Sequence, residues 1–394
     1  MTKSVVIASG VRTAIGTFGG ALSGLSPCDL GTAVAEEAIK RAGIDAADVE
    51  QTVLGNVIHT QPEDMYISRV VAMRAGVPET SPALTLNRLC GSGLQSVVTA
   101  AEQIMLGNAS IALAGGAECM SRAGHLLTQA RHGQKMGDTK AIDMMVGALT
   151  DPFGNGHMGV TAENIADQDN ISREFQDAFA LESHRRASKA IEAGYFKDQI
   201  LPITAKKGRK EIVFDTDEHV RHDVAIENLE KLRPAFRKEG TVTAGNASGI
   251  NDGAAALILA EEEAALAKGI TPVARIVSYG LGGVAPNVMG MGPVPATKQA
   301  LERAQLTIDD LDVIESNEAF AAQACAVSKA LNFNADKVNP NGGAIALGHP
   351  IGASGAIILV KLLHELQRTS GRYGLATMCI GGGQGIAVVV ESLI

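Results

Sequence analysis

Two cysteines, a histidine and an asparagine stand in settings that suit nucleophilic and acid–base chemistry. Cys90 lies in Asn87-Arg-Leu-Cys-Gly-Ser-Gly, where an extended segment gives way to an expected helix. Backbone N–H groups and the dipole at a helix start lower a thiol pKa and stabilise an oxyanion. The flanking glycines let backbone and substrate approach closely. A Rossmann phosphate loop fits less well, because Gly91-x-Gly93 lacks a third Gly or Ala at the right place. His349 follows Gly348 in Asn341-Gly-Gly-Ala-Ile-Ala-Leu-Gly-His-Pro-Ile-Gly-Ala-Ser-Gly. A His within hydrogen-bond reach of a Cys makes it a nucleophile. Cys379 ends an apolar run at a glycine turn, Thr377-Met-Cys-Ile-Gly-Gly-Gly. Sites in α/β proteins gather at the carboxyl ends of strands. Asn317 follows the strand Val313-Ile314. It either donates to a developing oxyanion, directly or through water, or caps a helix expected from Ala319 to Leu331. The ordinary reading of a lone Cys is a buried thiol, and of a lone His a satisfied structural residue. The glycine-walled settings set these apart.

The elements that must hold these residues alternate between apolar strand-like runs and helical patterns, the signature of an α/β architecture. The sequence also repeats itself. Ala38-Ile-Lys-Arg-Ala-Gly-Ile reads against Ala300-Leu-Glu-Arg-Ala-Gln-Leu, and Ser92-Gly93 against Ser354-Gly355, at one offset of 262 residues. Two copies of one unit, about 1–120 and 272–394, make a duplicated, pseudo-symmetric core. Residues 251–270 resume core-like patterning and rejoin the first unit. The domain reading is therefore 1–120 plus 251–271, an insertion at 121–250, and 272–394. The helix after each Ser-Gly is apolar enough to lie between two sheets, giving a layered α/β/α/β/α core. The same offset pairs Gly352 with Cys90, which brings His349 into the neighbourhood of Cys90. The insertion is richer in charge and holds a long polar helix candidate, 161–193.

Composition narrows the class. The chain has 394 residues, 46% of them hydrophobic and 20% charged, with a net charge of −9. That charge argues against nucleic-acid and membrane-surface binding. Aromatic residues are 3% and Trp is absent, so there is no platform for stacking single strands. Five cysteines without a CxxC pair speak against a disulfide framework and a structural zinc site. No signal segment or long apolar span is visible, and the expected compartment is a reducing cytoplasm.

At the motifs the sequence resembles the thiolase family over essentially its full length. The matching stretches are NRLCGSG (87–93), GGAEC (115–119), HMGVTAEN (157–164), KLRPAF (231–236), GTVTAGNASGINDGAAA (240–256), NEAFAAQACAV (317–327), GGAIALGHPIGASG (342–355) and CIGGGQG (379–385). The pattern is most similar to bacterial acetyl-CoA acetyltransferases and β-ketothiolases. Cys119 stands where the family usually has Ser, and Ser316 where it usually has Ala. The resemblance implies a thiolase-like fold and a ping-pong acyl transfer, with acetyl-CoA and 3-oxoacyl-CoA as partners. Cys90 would carry the acyl group, with His349 accepting its proton. Cys379 would move the α-proton of a second acetyl-CoA. His349 and a water held by Asn317 would form one oxyanion hole, and the N–H groups of Cys90 and Gly381 the other.

By the same resemblance the insertion would bind coenzyme A. Ser248, Ala244 and Phe236 would meet the pantetheine, His157 and Met158 its tunnel, and Arg221 the adenine end. Met289 and Phe320 would join the substrate-binding set, and Leu89, Leu149 and Met291 would help shape the acyl pocket. A polyanionic ligand wants local cations, and Lys206, Lys207, Arg209, Lys210, Arg221 and His222 fall in the insertion. Of these only Arg221 is assigned a contact. Residues 125–145 resemble the family's tetramer-forming loop, implying a homotetramer built as a dimer of dimers. No metal or prosthetic group is implied. A decarboxylating ketosynthase-type enzyme would use one Cys with two His, and Cys379-Ile-Gly-Gly-Gly speaks against it. A non-catalytic acyl-CoA-binding protein would not need Cys90, His349 and Cys379 together.

Overall fold

The computed structural model describes residues 3–394. The first half contributes β1 (Val5–Thr13), β2 (Gln51–Gly55), β3 (Ala83–Leu86), β4 (Ile111–Cys119) and β5 (Asn251–Glu261). They lie in the order β1-β5-β4-β2-β3. Pairing is antiparallel from β1 through β5 to β4, then parallel out to β3. The second half contributes β6 (Ala274–Gly283), β7 (Val313–Ser316), β8 (Tyr373–Ile380) and β9 (Gln384–Ser392). Their order is β6-β9-β8-β7, antiparallel twice and then parallel. A parallel bridge from Ile314 to Val338 stands where the first half has β3. The two halves thus share one strand order. They meet edge to edge where Val6 and Ile7 of β1 pair with Arg275 and Ala274 of β6.

The helices follow the same duplication. The first half supplies α1 (Pro27–Ala42), α2 (Ile67–Arg74) and α3 (Ser92–Met105). The insertion supplies α4 (Met158–Asp169) and α5 (Arg173–Glu192), and the second half α6 (Pro293–Ala304), α7 (Ala321–Ala330) and α8 (Ser354–Thr369). α3 and α8 pack on each other and on strands of both halves, forming the middle layer. α1 covers β1 and β5 from outside, and α6 covers β6 and β9. α1 starts where sequence rules place a start: Ser26 and Asp29 form a capping box, Pro27 opens the first turn, and Gly43 ends the helix at φ 69°. α8 is buried on nearly every side, including Lys361, whose Nζ meets Glu315 at 2.7 Å.

The middle helices touch at their starts through glycine. A Cβ on Gly93 would lie 2.7 Å from the Ala356 nitrogen, and one on Gly355 would collide with the Leu94 nitrogen. The pairing of Ser92-Gly93 with Ser354-Gly355 is therefore a physical contact across the pseudo-dyad.

The single long helix expected over 161–193 is two helices. Asn170 adopts φ 54°, closing α4, and Ser172 caps α5 through the Phe175 N–H. Helical periodicity cannot register one residue in the left-handed conformation. The insertion is tied to the core by Arg12, which is fully buried. Its guanidinium holds both Asp217 oxygens at 2.8 and 2.9 Å, and its Nε donates to Gln199 at 2.8 Å.

Candidate active site

The loop entering α3 is bent so that one side chain stands out. Leu89 has φ 45°, an unusual conformation for a bulky residue, directly before Cys90. Neighbouring side chains hold the bend. Asn87 Oδ1 accepts the Leu89 N–H at 2.9 Å. The Ser92 hydroxyl accepts the Arg88 N–H at 2.9 Å and donates to the Leu89 carbonyl at 2.6 Å. The N–H groups of Gly381 and of Cys90 itself face the Cys90 sulfur and draw its pKa down, but burial outweighs them and pushes it up to about 11. At neutral pH this is a thiol that needs a base.

His349 has the matching arrangement in the second half. Its N–H donates to Asn251 Oδ1 at 2.9 Å, and its Nδ1 lies 2.6 Å from the Ser354 hydroxyl. That hydroxyl donates its one proton to the Pro350 carbonyl at 2.8 Å. Nδ1 must then carry the ring hydrogen, leaving the Nε2 lone pair free. Nε2 has no partner among the described residues. Burial lowers the His349 pKa to about 4, so the ring is neutral and able to accept a proton.

Cys379 ends β8 and is buried. Burial, and then the neighbouring Cys90, push its pKa upward. Gly381 follows in the turn. A Cβ there would lie 2.8 Å from Met158 Cε and 3.1 Å from Leu89 Cδ1, so a side chain would press on both neighbours of the thiols.

Cys90, His349, Cys379 and Gly381 line one cavity of about 420 Å³. His157, Met158, Arg221, Phe236, Ala244, Ser248, Met289 and Phe320 line it too, as do Leu89 and Leu149, whereas Met291 does not. The cavity wall is built around Phe236. The His157 ring stacks on it at 4.6 Å, and Phe320 meets it edge-on at 6.1 Å. Ser248 is fixed by its N–H donating to the Ala319 carbonyl at 3.0 Å. Arg221 is exposed, with its N–H on His184 Nδ1 at 3.2 Å. Lys206, Arg209 and Lys210 sit on an exposed hairpin away from the cavity, and the Lys207 side chain lies outside the described residues.

Asn317 does not line the large cavity. It borders a small pocket of about 10 Å³ with Ser316, Gly348 and Ser354, roughly the volume that one water needs. Neither atom of its amide has a partner among the described residues. The helix that follows is capped at Phe320, so Asn317 is not its cap. Sequence reasoning missed His219, which also lines the cavity; its only signal is a position two residues before Arg221. It also missed Asn251, Ser92 and Ser354 as the groups that hold the active loops. Among the described residues no group of His, Cys, Asp or Glu is arranged to hold a metal.

Comparison with known proteins agrees over the whole chain. The family profile described as Thiolase, N-terminal domain matches residues 5–263, and Thiolase, C-terminal domain matches 270–392. The chain is 61% identical over 394 residues to beta-ketothiolase BktB of Cupriavidus necator, with 100% of each covered. It superposes on the crystal structure of the Bacillus anthracis acetyl-CoA acetyltransferase with a TM-score of 0.97 at 48% identity, covering 100% of this chain and 99% of that one. It superposes on human mitochondrial 3-ketoacyl-CoA thiolase in complex with CoA with a TM-score of 0.96 at 44% identity, covering 99% and 98%.

Proposed function

The chain belongs to the thiolase family, and from that premise we propose which of its residues carry the reaction. It is an acyltransferase that makes or breaks a carbon–carbon bond between acyl-CoA units through a cysteine acyl-enzyme. Two acetyl-CoA give acetoacetyl-CoA and CoA, and a 3-oxoacyl-CoA is cleaved in reverse. In our reading Cys90 is the nucleophile. Its proton passes to His349 Nε2 as the sulfur attacks the thioester carbon, and CoA leaves with that proton. The high thiol pKa and the neutral imidazole both favour this transfer over a preformed ion pair. Cys379, once its own proton has passed to the neutral His349, takes the α-proton of a second acetyl-CoA. The resulting carbanion attacks the Cys90 thioester, the carbon–carbon bond forms, and Cys90 leaves with the proton returned by His349. A thiolate at Cys379 is a strong base because burial destabilises it. The N–H groups of Cys90 and Gly381 serve one oxyanion, and His349 with a water on Asn317 the other.

The observation that carries this assignment is the convergence of both thiols and the free Nε2 on one apolar cavity. The second thiol there also favours it over a decarboxylating condensing enzyme. The coenzyme A path would run past Met158, His157, Phe236, Ala244 and Ser248 to Arg221, with Met289 and Phe320 at the acyl end. We assign residues 1–120 with 251–271 and 272–394 to the two halves and 121–250 to the inserted coenzyme A-binding unit. A homotetramer is supported by exposed Leu126, Leu127, Met136, Ile142, Met144 and Val146 on the loop after β4. The free cysteines suit a reducing cytoplasm. No cofactor is required, because the thioester supplies the activated carbonyl.

Cys90→Ala tests the nucleophile. Mass spectrometry after incubation with acetyl-CoA should find no acetylated enzyme. Acetylation of the variant at Cys379 at the wild-type rate would overturn the assignment.

A further inference from the structure

Glu118 has no part in the reaction described above, yet it is buried between the loop after β2 and the His349 loop. Its side chain is inaccessible to solvent. Oε1 accepts from Asn56 Nδ2 at 3.2 Å and from the Ile58 N–H at 3.1 Å. Oε2 accepts from the N–H groups of Val57 at 3.0 Å and Gly352 at 2.9 Å. Three of these donors belong to the first half. The fourth, Gly352, lies three residues after His349 and is the residue that the 262-residue offset pairs with Cys90.

The pairing gives this contact its meaning. In the first half the backbone N–H groups of Cys90 and Gly381 both act on the Cys90 sulfur. At the equivalent place in the second half the Gly352 N–H is taken by a carboxylate from the chain itself. A Cβ on Gly352 would collide with Glu118 Oε2 and press on Asn56 Cα, so a side chain there would displace the carboxylate.

We propose that Glu118 is an ionised positioning residue that fills the pseudo-symmetric counterpart of the Cys90 oxyanion site and, by holding Gly352, sets where His349 presents Nε2 to Cys90. The inference rests on the assignment of His349 as the base. Among the described residues four donors and no acceptor hydrogen-bond the two oxygens, and a protonated carboxyl would have to aim its O–H at a donor. Burial works the other way, pushing the group up to about 8, with Asp64 adding repulsion. The hydrogen-bond pattern decides, because accepting several N–H groups favours the anion. Its charge reaches Cys90 and opposes the thiolate. The cavity is also lined by the titratable Cys379, His349, His157 and His219 and by the charged Arg221.

Glu118→Gln keeps the size, removes the charge and turns an NH2 toward N–H donors. The expected result is a kcat for thiolysis of acetoacetyl-CoA lowered about tenfold to a hundredfold, the scale of a misplaced catalytic group, with KM little changed. Iodoacetamide labelling of Cys90 should also move to lower pH, because the opposing anion is gone. A wild-type kcat overturns the proposal, and so does a labelling profile that stays in place. A variant that only melts earlier, with kcat and labelling intact, overturns it as well. If the Gln variant does not fold, Glu118→Asp keeps the charge but shortens the reach to Gly352. It should lose kcat while labelling stays at the wild-type pH, and a wild-type kcat there is equally fatal. Failure of the reaction assignment would appear in Cys90→Ala, where Glu118 is untouched.

Discussion

Each reactive group owes its state to a few neighbours. The Ser354 hydroxyl fixes the His349 tautomer by committing its own proton to Pro350. The Cys90 thiol is kept protonated by burial and offered two N–H groups for the charge that forms on attack. Asn317 borders the small pocket beside Gly348 and Ser354 with an amide that has no partner among the described residues, and its assignment makes a specific demand. Asn317→Ala should lower kcat by roughly 10²–10³, the usual loss for one oxyanion donor, with KM little altered. Steady-state thiolysis kinetics measure this; a variant with intact kcat would return Asn317 to a structural role. The types of Cys90, His349, Cys379 and Asn317, the glycine settings of the first three and the strand position of Asn317 were legible in the sequence. The choice between oxyanion donor and helix cap was not, because both roles want Asn after a strand. Ser92, Ser354 and Glu118 were invisible as supports, since a buried hydroxyl or carboxylate reads as an ordinary polar residue until its partners are located.

The elements explain why those residues hold still. α3 and α8 begin against one another, with glycine at each contact, so the Cys90 and His349 loops share one frame. The paired glycines and the 262-residue offset made this layer readable from sequence alone. The break between α4 and α5 was not, because it depends on one residue at positive φ. Nor was the anchor of the insertion, since Arg12 and Asp217 are far apart in the chain and each looks like a surface charge. Arg12→Ala leaves Asp217 buried without its cation, which should cost about 3–5 kcal/mol. Denaturant unfolding checks this against Lys40→Ala, whose exposed pair with Glu37 should contribute less than about 1 kcal/mol. Equal stability of the two variants would remove Arg12 as the tie between insertion and core.

On the scale of the whole molecule, the proposed mechanism divides the reaction between the two copies of the fold. Cys90 comes from the first half, His349 and Cys379 from the second, and the insertion closes the cavity over them. The repeated strand order supplies the same frame twice, and the copies differ in what stands at each loop. The division makes a claim about chemistry: acyl transfer belongs to Cys90, and proton transfer at the α-carbon belongs to Cys379. Cys379→Ser keeps the shape but replaces the thiol with a hydroxyl that is a far weaker acid still, removing a base whose help is worth roughly 10²–10⁴ in rate. The decisive measurement follows two labels in that variant, acetyl on Cys90 and solvent deuterium in recovered acetyl-CoA. Acetyl should still load onto Cys90, while deuterium exchange and condensation fail. Exchange at the wild-type rate would contradict the account and leave His349 to serve both steps.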